Sequence, residues 1–256
     1  MRRSKVLAKI REGRFTHMAS LGHVIPSFLK QAAHFGYDGI WLDLEHRCMD
    51  EREVQMMLAY AHSADIDIMV RPPTLEKTRL YRYMEDGASG VMIPHCSTPE
   101  KAKMIVESVK YPPVGDRGLD GAGFDTDFML DGGDDYIEAA NRETFVVCQI
   151  ETVEAVHNAD AIAAVDGVDV LFIGPADLTL RLPLYGDGMT LDDAIAKVSA
   201  ACRKHGKHWA ITAGTTEQLA ERKALGAAFI PWGGDFGFVY NGLKDRSAEL
   251  DEIDSQ

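Results

Sequence analysis

Short apolar runs alternate along this chain with longer stretches in which apolar side chains recur at helical spacing. The runs fall at 14–19 (RFTHMA), 38–43 (DGIWLD), 67–71 (DIMVR), 89–93 (SGVMI), 145–150 (FVVCQI), 168–173 (VDVLFI), 208–212 (HWAIT) and 227–231 (AAFIP). Several are nearly continuous in apolar character, the pattern of strands covered on both faces. The intervening stretches predict helices over 25–35, 50–64, 76–86, 98–109, 152–164, 189–205, 215–225 and 236–246. In the second of these, Glu53, Met56, Met57 and Tyr60 mix polar and apolar positions as a surface helix does. Thr98-Pro99-Glu100 is a helix start, a capping hydroxyl followed by proline at the first position. Gly87 and Gly226 stand where helix C-caps fall.

Eight strands alternating with eight helices read as an α/β fold, a closed (β/α)8 TIM barrel. An open doubly wound sheet is the alternative. Against it, no G-x-G-x-x-G follows the first strand and there is no Walker loop. Two irregular stretches interrupt the pattern. Residues 111–136 are rich in Gly, Pro and Asp and too long for an ordinary connection, which points to function or an oligomer interface. Residues 181–188 (RLPLYGDG) follow the sixth strand, where a barrel carries active-site loops. The terminal SAELDEIDSQ reads as an acidic, solvated tail.

Composition narrows the class. With 256 residues, 46% of them hydrophobic, the chain can bury one full core, and residues 1–256 are read as a single domain. A formal net charge of −13 argues against nucleic acid or an anionic membrane as partner. It leaves room for a small anion met by one arginine. Cys48, Cys96, Cys148 and Cys202 are scattered without a C-x-x-C, so neither a zinc ribbon nor a disulfide framework is expected. The basic start MRRSKVLAKIREGRF lacks the apolar stretch of a secretory signal, and no run is long enough to span a bilayer. A soluble, cytoplasmic protein in a reducing compartment is expected.

In a barrel, reactive residues collect at the C-terminal ends of the strands. That rule selects Asp43, Glu45 and His46 after the second strand and Arg71 at the end of the third. It also selects Gln149 and Glu151 after the fifth, and Asp177 after the sixth. Glu151 and Asp177 lie 26 residues apart, about one βα unit. Two carboxylates without a nearby cysteine or histidine set suit a hard divalent cation such as Mg²⁺ or Mn²⁺. Such a cation, chelated by a 2-oxo acid, acts as a Lewis acid and stabilises an enolate. The alternative is structural: Glu151 caps the helix beginning at Thr152, and Asp177 begins another.

Arg71 suits a substrate carboxylate or enolate oxygen, or else an ion pair with Glu45 or Asp43. His46 with Asp43 or Glu45 reads as a base with its orienting carboxylate. Gly174-Pro175-Ala176-Asp177 can present backbone N–H groups to a carboxylate. Asp235, directly after Gly233-Gly234, disfavours a phosphate there. His95 either faces the cavity or packs in the core. Met56-Met57 and the Tyr81/Tyr83 region read as core or interface.

The chain resembles the class II pyruvate aldolases of the HpcH/HpaI type, a family that includes 2-dehydro-3-deoxyglucarate aldolase, hydroxy-oxo-heptanedioate aldolase and macrophomate synthase. The likeness runs from about Phe28 to Asp245. GYDGIWLDLEH, VRPP, DGASGVMIP, YPPVGDRG, QIET and GVDVLFIGPADL carry it, the spacing of QIET and FIGPADL being the most specific part. The resemblance implies a barrel of the phosphoenolpyruvate/pyruvate type with a divalent metal on Glu151 and Asp177, Mg²⁺ first and Mn²⁺ or Co²⁺ as substitutes. It implies a pyruvate carboxylate held by the backbone at Ala176 and Asp177. Gln149 and Arg71 then contact pyruvate or its enolate, and His46 with Asp43 serves proton transfer through water. It also implies a homohexamer, a trimer of dimers with a swapped C-terminal helix and sites completed by a neighbouring subunit. Where the family has an aspartate from that neighbour, this chain has Glu85. Leu44, Arg47-Cys48-Met49 and His95 also depart from the family pattern, and of these Arg47 and His95 bear on the aldehyde side.

The expected activity is reversible retro-aldol cleavage of a 4-hydroxy-2-oxo acid to pyruvate and an aldehyde through a metal-stabilised enolate. Oxaloacetate decarboxylation uses the same enolate and needs no aldehyde pocket. A citrate-lyase-β or malyl-CoA-lyase relative would need a basic CoA-binding cluster, and none is seen. From another class, a non-catalytic 2-oxo-acid-binding barrel would keep the pocket without turnover.

Overall fold

Eight strands alternate strictly between barrel-facing and helix-facing side chains, and that alternation decides what reaches the site. In the computed structural model, which describes residues 1–255, the strands are β1 (Thr16–Leu21), β2 (Gly39–Asp43), β3 (Asp67–Arg71), β4 (Gly90–Ile93), β5 (Phe145–Ile150), β6 (Val170–Ile173), β7 (His208–Ile211) and β8 (Phe229–Gly234). All pairings are parallel, in the order β7-β6-β5-β4-β3-β2-β1-β8. Closure comes from the Ala228 N–H, which donates to the Trp209 carbonyl at 2.8 Å, just ahead of β8. The expected (β/α)8 barrel is what forms.

Inside the barrel, Met18, Met69, Met92, Val147, Phe172 and Phe229 interlock in one buried cluster. Their strand neighbours, among them Ile40, Leu42, Val70, Val146 and Ile150, face outward into a second cluster shared with the helices. A period of two therefore places Trp41 and Asp43, Met69 and Arg71, and Val147 and Gln149 on the inward face in rising layers.

The helices are α1 (Lys5–Arg11), α2 (Pro26–His34), α3 (Glu51–Ser63), α4 (Lys77–Glu85), α5 (Pro99–Val109), α6 (Tyr136–Glu143), α7 (Val153–His157), α8 (Ala159–Ala163), α9 (Pro175–Tyr185), α10 (Leu191–Lys204), α11 (Thr216–Ala224) and α12 (Asp235–Asp254). Thr98 caps α5 by accepting from Lys101 N–H, with Pro99 at the first position. Gly87 and Gly226 follow α4 and α11 with φ of 100° and 95°, the left-handed geometry a helix stop requires.

Five expectations change. No element was expected over the basic start. It forms α1, whose Val6, Leu7 and Ile10 join the barrel-interior cluster. Fully buried Asp67 holds that helix, accepting Ser4 Oγ at 2.6 Å and Val6 N–H at 2.9 Å, and pairing with Arg2. The stretch 111–136 contains a 3₁₀ turn at Phe124–Thr126 and leads into α6, hidden from sequence because its apolar positions are few. The single helix read over 152–164 breaks at Asn158 into α7 and α8. RLPLYGDG is not a loop throughout, since Arg181–Tyr185 complete α9 with Pro183 inside the helix. The terminal segment is helical, carried by α12 to Asp254, while its described residues are exposed as expected.

Met57 and Tyr83 are buried, while Met56 is exposed. The described cysteines are all free thiols, three of them buried. Among the described residues, no helix is long and apolar enough to cross a membrane.

Candidate active site

The inward positions at the C-terminal strand ends form a connected polar group. Arg71, at the end of β3, is only 6% exposed. Its Nε and one terminal nitrogen donate to the two Asp43 oxygens at 3.0 and 2.8 Å, a bidentate fork. Its other terminal nitrogen lies 3.1 Å from Glu45 Oε2, and its guanidinium carbon sits 4.5 Å from the Trp41 ring centroid. Both ion pairs foreseen as the structural alternative for Arg71 therefore form, and they hold the guanidinium in place at the barrel mouth. Burial raises the Asp43 carboxyl, but the Arg71 hydrogen bonds and charge outweigh it, and the net pKa falls below the ordinary carboxylate range.

The loop after β2 folds over this pair. Asp43 Oδ1 accepts the Glu45 and His46 backbone N–H groups at 3.1 and 3.3 Å. The His46 ring does not meet Asp43; its Nε2 lies 3.6 Å from Glu45 Oε2 and it faces solvent. Of the two carboxylates considered for this imidazole, Glu45 is the one within ion-pair range, and Asp43 is occupied with Arg71.

Across the mouth, Glu151 is almost completely buried. One oxygen accepts the His95 backbone N–H at 2.6 Å, and the other accepts from Gln149 Nε2 at 2.5 Å. His95 faces the cavity and not the core: its Nδ1 lies 3.3 Å from the same carboxylate. Gly174 lies against Glu151 so closely that a Cβ there would meet its Oε2 at 2.8 Å, which reserves the position for glycine. Burial raises the Glu151 pKa; His95 opposes this, and the negative charges of Asp177 and Glu45 add to the rise. Glu45, Glu151 and Asp177 stand in the segments that follow β2, β5 and β6.

Asp177 stands in the first turn of α9, where Ala176 and Asp177 leave backbone N–H groups without an intrahelical partner, Pro175 having none to leave. Glu151 does not cap α7; Thr152 does, accepting from Ala155 N–H. Asp177 does begin a helix, as its structural reading held. One of its oxygens is taken by Arg181 at 2.6 Å, and Arg181 also reaches the Glu151 carbonyl at 3.5 Å. Arg181 went unread because its segment was taken for a loop; read as helix, its spacing of four from Asp177 is the available signal.

His23 escaped the sequence reading, and Asp235 was read there only as disfavouring a phosphate. Asp235, buried at the end of β8, accepts the Gly22 N–H at 3.1 Å and lies 2.6 Å from His23 Nδ1. Both stand at the strand ends that border the mouth.

Glu85 is not brought to His46 within one chain. It ends α4, whose C-terminus feeds the start of β4 at the opposite end of the barrel. Burial raises its pKa, countered by Arg117, and the buried Arg117–Asp125 pair is its neighbour.

The donor set can be weighed for a cation. Among the described residues no cluster of three or more His, Cys, Asp or Glu has metal-binding geometry. What is present is a buried carboxylate facing two like charges, beside a Gln149 Oε1 with no hydrogen-bond partner. Hard oxygen donors of this kind fit a divalent ion of the Mg²⁺ type, which takes one or two carboxylates and fills its other positions with water and substrate oxygens.

The profile of the HpcH/HpaI aldolase/citrate lyase family matches residues 21–242. The chain belongs to this family. Among HpcH/HpaI relatives, it is 30% identical to a hydroxypyruvate/pyruvate aldolase of Deinococcus radiodurans, over 92% of this chain and 88% of that one. It is 33% identical to the 5-keto-4-deoxy-D-glucarate aldolase of Escherichia coli K12, over 84% and 83%. The crystal structure of a family member from Burkholderia cenocepacia superposes with a TM-score of 0.86 at 29% identity, covering 97% of this chain and 99% of that chain. The family places the chain among aldolase-type lyases.

Proposed function

We propose that this lyase cleaves a 4-hydroxy-2-oxo acid reversibly to pyruvate and an aldehyde, with a divalent cation held by Glu151 and Asp177. The observation that carries the reading is the buried Glu151 carboxylate beside the unpartnered Gln149 Oε1 at the strand ends, where the Arg71–Asp43 fork, Glu45 and His46 also stand. The bound cation, Mg²⁺ by donor type with Mn²⁺ or Co²⁺ as substitutes, supplies Lewis-acid polarisation of the substrate's 2-oxo group.

The chain's own residues do the rest. The free N–H groups at Ala176 and Asp177 receive the substrate carboxylate. Gln149, whose Nε2 is tied to Glu151, turns its amide toward the 2-oxo acid. Arg71, already held by Asp43 and Glu45, meets the negative charge that develops on the C2 oxygen without reorganising. His46, oriented by Glu45, takes the C4 hydroxyl proton through a water molecule. The C3–C4 electron pair passes to C3, C4 leaves as the aldehyde, and the proton returns to C3 to complete pyruvate.

One barrel spans the chain in this reading, working as a cytoplasmic homo-oligomer. The exposed Tyr240, Leu243, Leu250 and Ile253 of α12 support assembly, as apolar side chains left open to solvent in one chain. A hexamer with exchanged C-terminal helices would cover them and bring Glu85 of a neighbouring copy toward His46.

The deciding experiment combines pyruvate with a panel of aldehydes, before and after EDTA, with metal added back. Condensation lost in EDTA and restored by Mg²⁺ or Mn²⁺ is the expected result; full activity in EDTA refutes the metal role. Oxaloacetate in parallel assays reports decarboxylation, and pyruvate binding without any turnover revives the non-catalytic reading.

A further inference from the structure

Arg71 and Arg47 lie on either side of His46 in the fold, yet they are held in opposite ways. Every nitrogen of the Arg71 guanidinium faces a carboxylate, two on Asp43 and one on Glu45. Arg47, next to His46 in the loop after β2, has no carboxylate within ion-pair distance among the described residues. One terminal nitrogen donates to the His46 carbonyl at 2.7 Å, and its Nε and second terminal nitrogen are uncommitted.

The group is nevertheless fixed. Its guanidinium carbon stands 4.2 Å from the centroid of the Phe236 ring. Phe236 is braced in turn by His23, whose ring lies 4.2 Å away at 33°. Buried Asp235 anchors His23 through Nδ1 at 2.6 Å and holds the preceding Gly22 N–H at 3.1 Å. Gly22 itself permits the approach: a Cβ there would lie 2.9 Å from Arg47 Cγ and 2.7 Å from Phe236 Cε2. In a chain of net charge −13, this is a cation laid on a rigid aromatic platform at the barrel mouth with its donors unspent.

We infer that Arg47 is the specificity-determining residue for the acceptor half of the substrate and selects aldehydes that carry a distal carboxylate. The inference rests on the aldolase reading above. The fork of a guanidinium matches a carboxylate's two oxygens, and stacking on Phe236 leaves its edge as the open donor side. One cation with Glu45 and Asp235 close by suits a monoanion better than a phosphate dianion. Its place beside His46 puts the anchor on the aldehyde side of the proton-transfer group, away from the Ala176–Asp177 amides that take the pyruvate carboxylate.

The test compares 4-oxobutanoate with butanal, equal in length and differing in the terminal charge, as acceptors for pyruvate in wild type, Arg47→Gln and Arg47→Lys. Loss of a charge-assisted bond predicts a KM for 4-oxobutanoate raised about 10- to 100-fold in R47Q. Little change in kcat and an unchanged KM for butanal are also expected, with partial recovery in R47K. A KM that shifts equally for both aldehydes, or for neither, overturns the inference. If wild type condenses neither aldehyde with pyruvate, the aldolase reading falls, and calorimetric binding of 4-oxobutanoate alone then decides Arg47. Weaker binding in R47Q than in wild type upholds the anchor, and equal binding overturns it.

Discussion

Replacing Glu151 with glutamine separates what that side chain does for the fold from what it does for a cation. Its two oxygens accept the His95 N–H at 2.6 Å and Gln149 Nε2 at 2.5 Å. Glutamine keeps one acceptor but turns an amide NH₂ toward the other donor, which removes one buried hydrogen bond at a cost of about 1–3 kcal/mol. Burial raises the Glu151 pKa, so ionising this carboxyl costs stability above the ordinary carboxylate range. Glutamine removes that penalty. The two changes oppose each other, and metal-free E151Q should melt within about 5 °C of metal-free wild type.

The ligand role has a different signature. A cation that binds only the folded chain, present at 100 times its Kd, stabilises by about 2.7 kcal/mol. For a chain of this size that raises Tm by about 5–10 °C. Thermal unfolding of EDTA-stripped protein titrated with MnCl₂ should show this rise in wild type and none in E151Q, with electron paramagnetic resonance reporting free Mn²⁺. A full Mn²⁺-dependent rise in E151Q refutes Glu151 as a ligand.

Arg71→Lys keeps the charge but gives up the fork on Asp43 and the stack on Trp41. Steady-state kinetics should show kcat falling about 10²- to 10³-fold, the scale of losing a preorganised oxyanion donor. His46→Gln should lower kcat for cleavage about 10²- to 10⁴-fold, the worth of a general base, with calorimetric pyruvate affinity unchanged because the solvent-facing ring meets only the acceptor side. Asp67→Ala tests the far end of the barrel. Removing this buried carboxylate strands Arg2 and the Ser4 and Val6 donors and should cost about 3–5 kcal/mol. Thermal melts should then fall by about 6–20 °C while catalytic constants at 25 °C stay unchanged.

Most of the barrel is legible in the sequence because its strands are buried on both faces, and burial writes itself as short apolar runs at regular intervals. All eight lie within a few residues of their predicted places. The helices that were missed fail for local reasons. The seven residues of α1 look like a basic leader until the barrel floor is there to receive Val6, Leu7 and Ile10. Pro183 made the end of α9 read as loop, and with it went Arg181.

The candidate site divides in the same way. Strand periodicity alone selects Asp43, Arg71, Gln149 and Glu151, since every second residue points inward and the last of these must stand at the mouth. Which of them touch is decided in three dimensions. Sequence left Asp43 and Glu45 equal as partners for His46 and for Arg71; the turn after β2 gives the fork to Asp43 and the imidazole to Glu45. Residues at opposite ends of the chain, His23 and Asp235, meet only because a closed barrel sets β8 beside β1. Periodicity records which way a side chain faces, a property of neighbouring peptide units. Partnership depends on closure and loop path, which no local stretch of chain encodes.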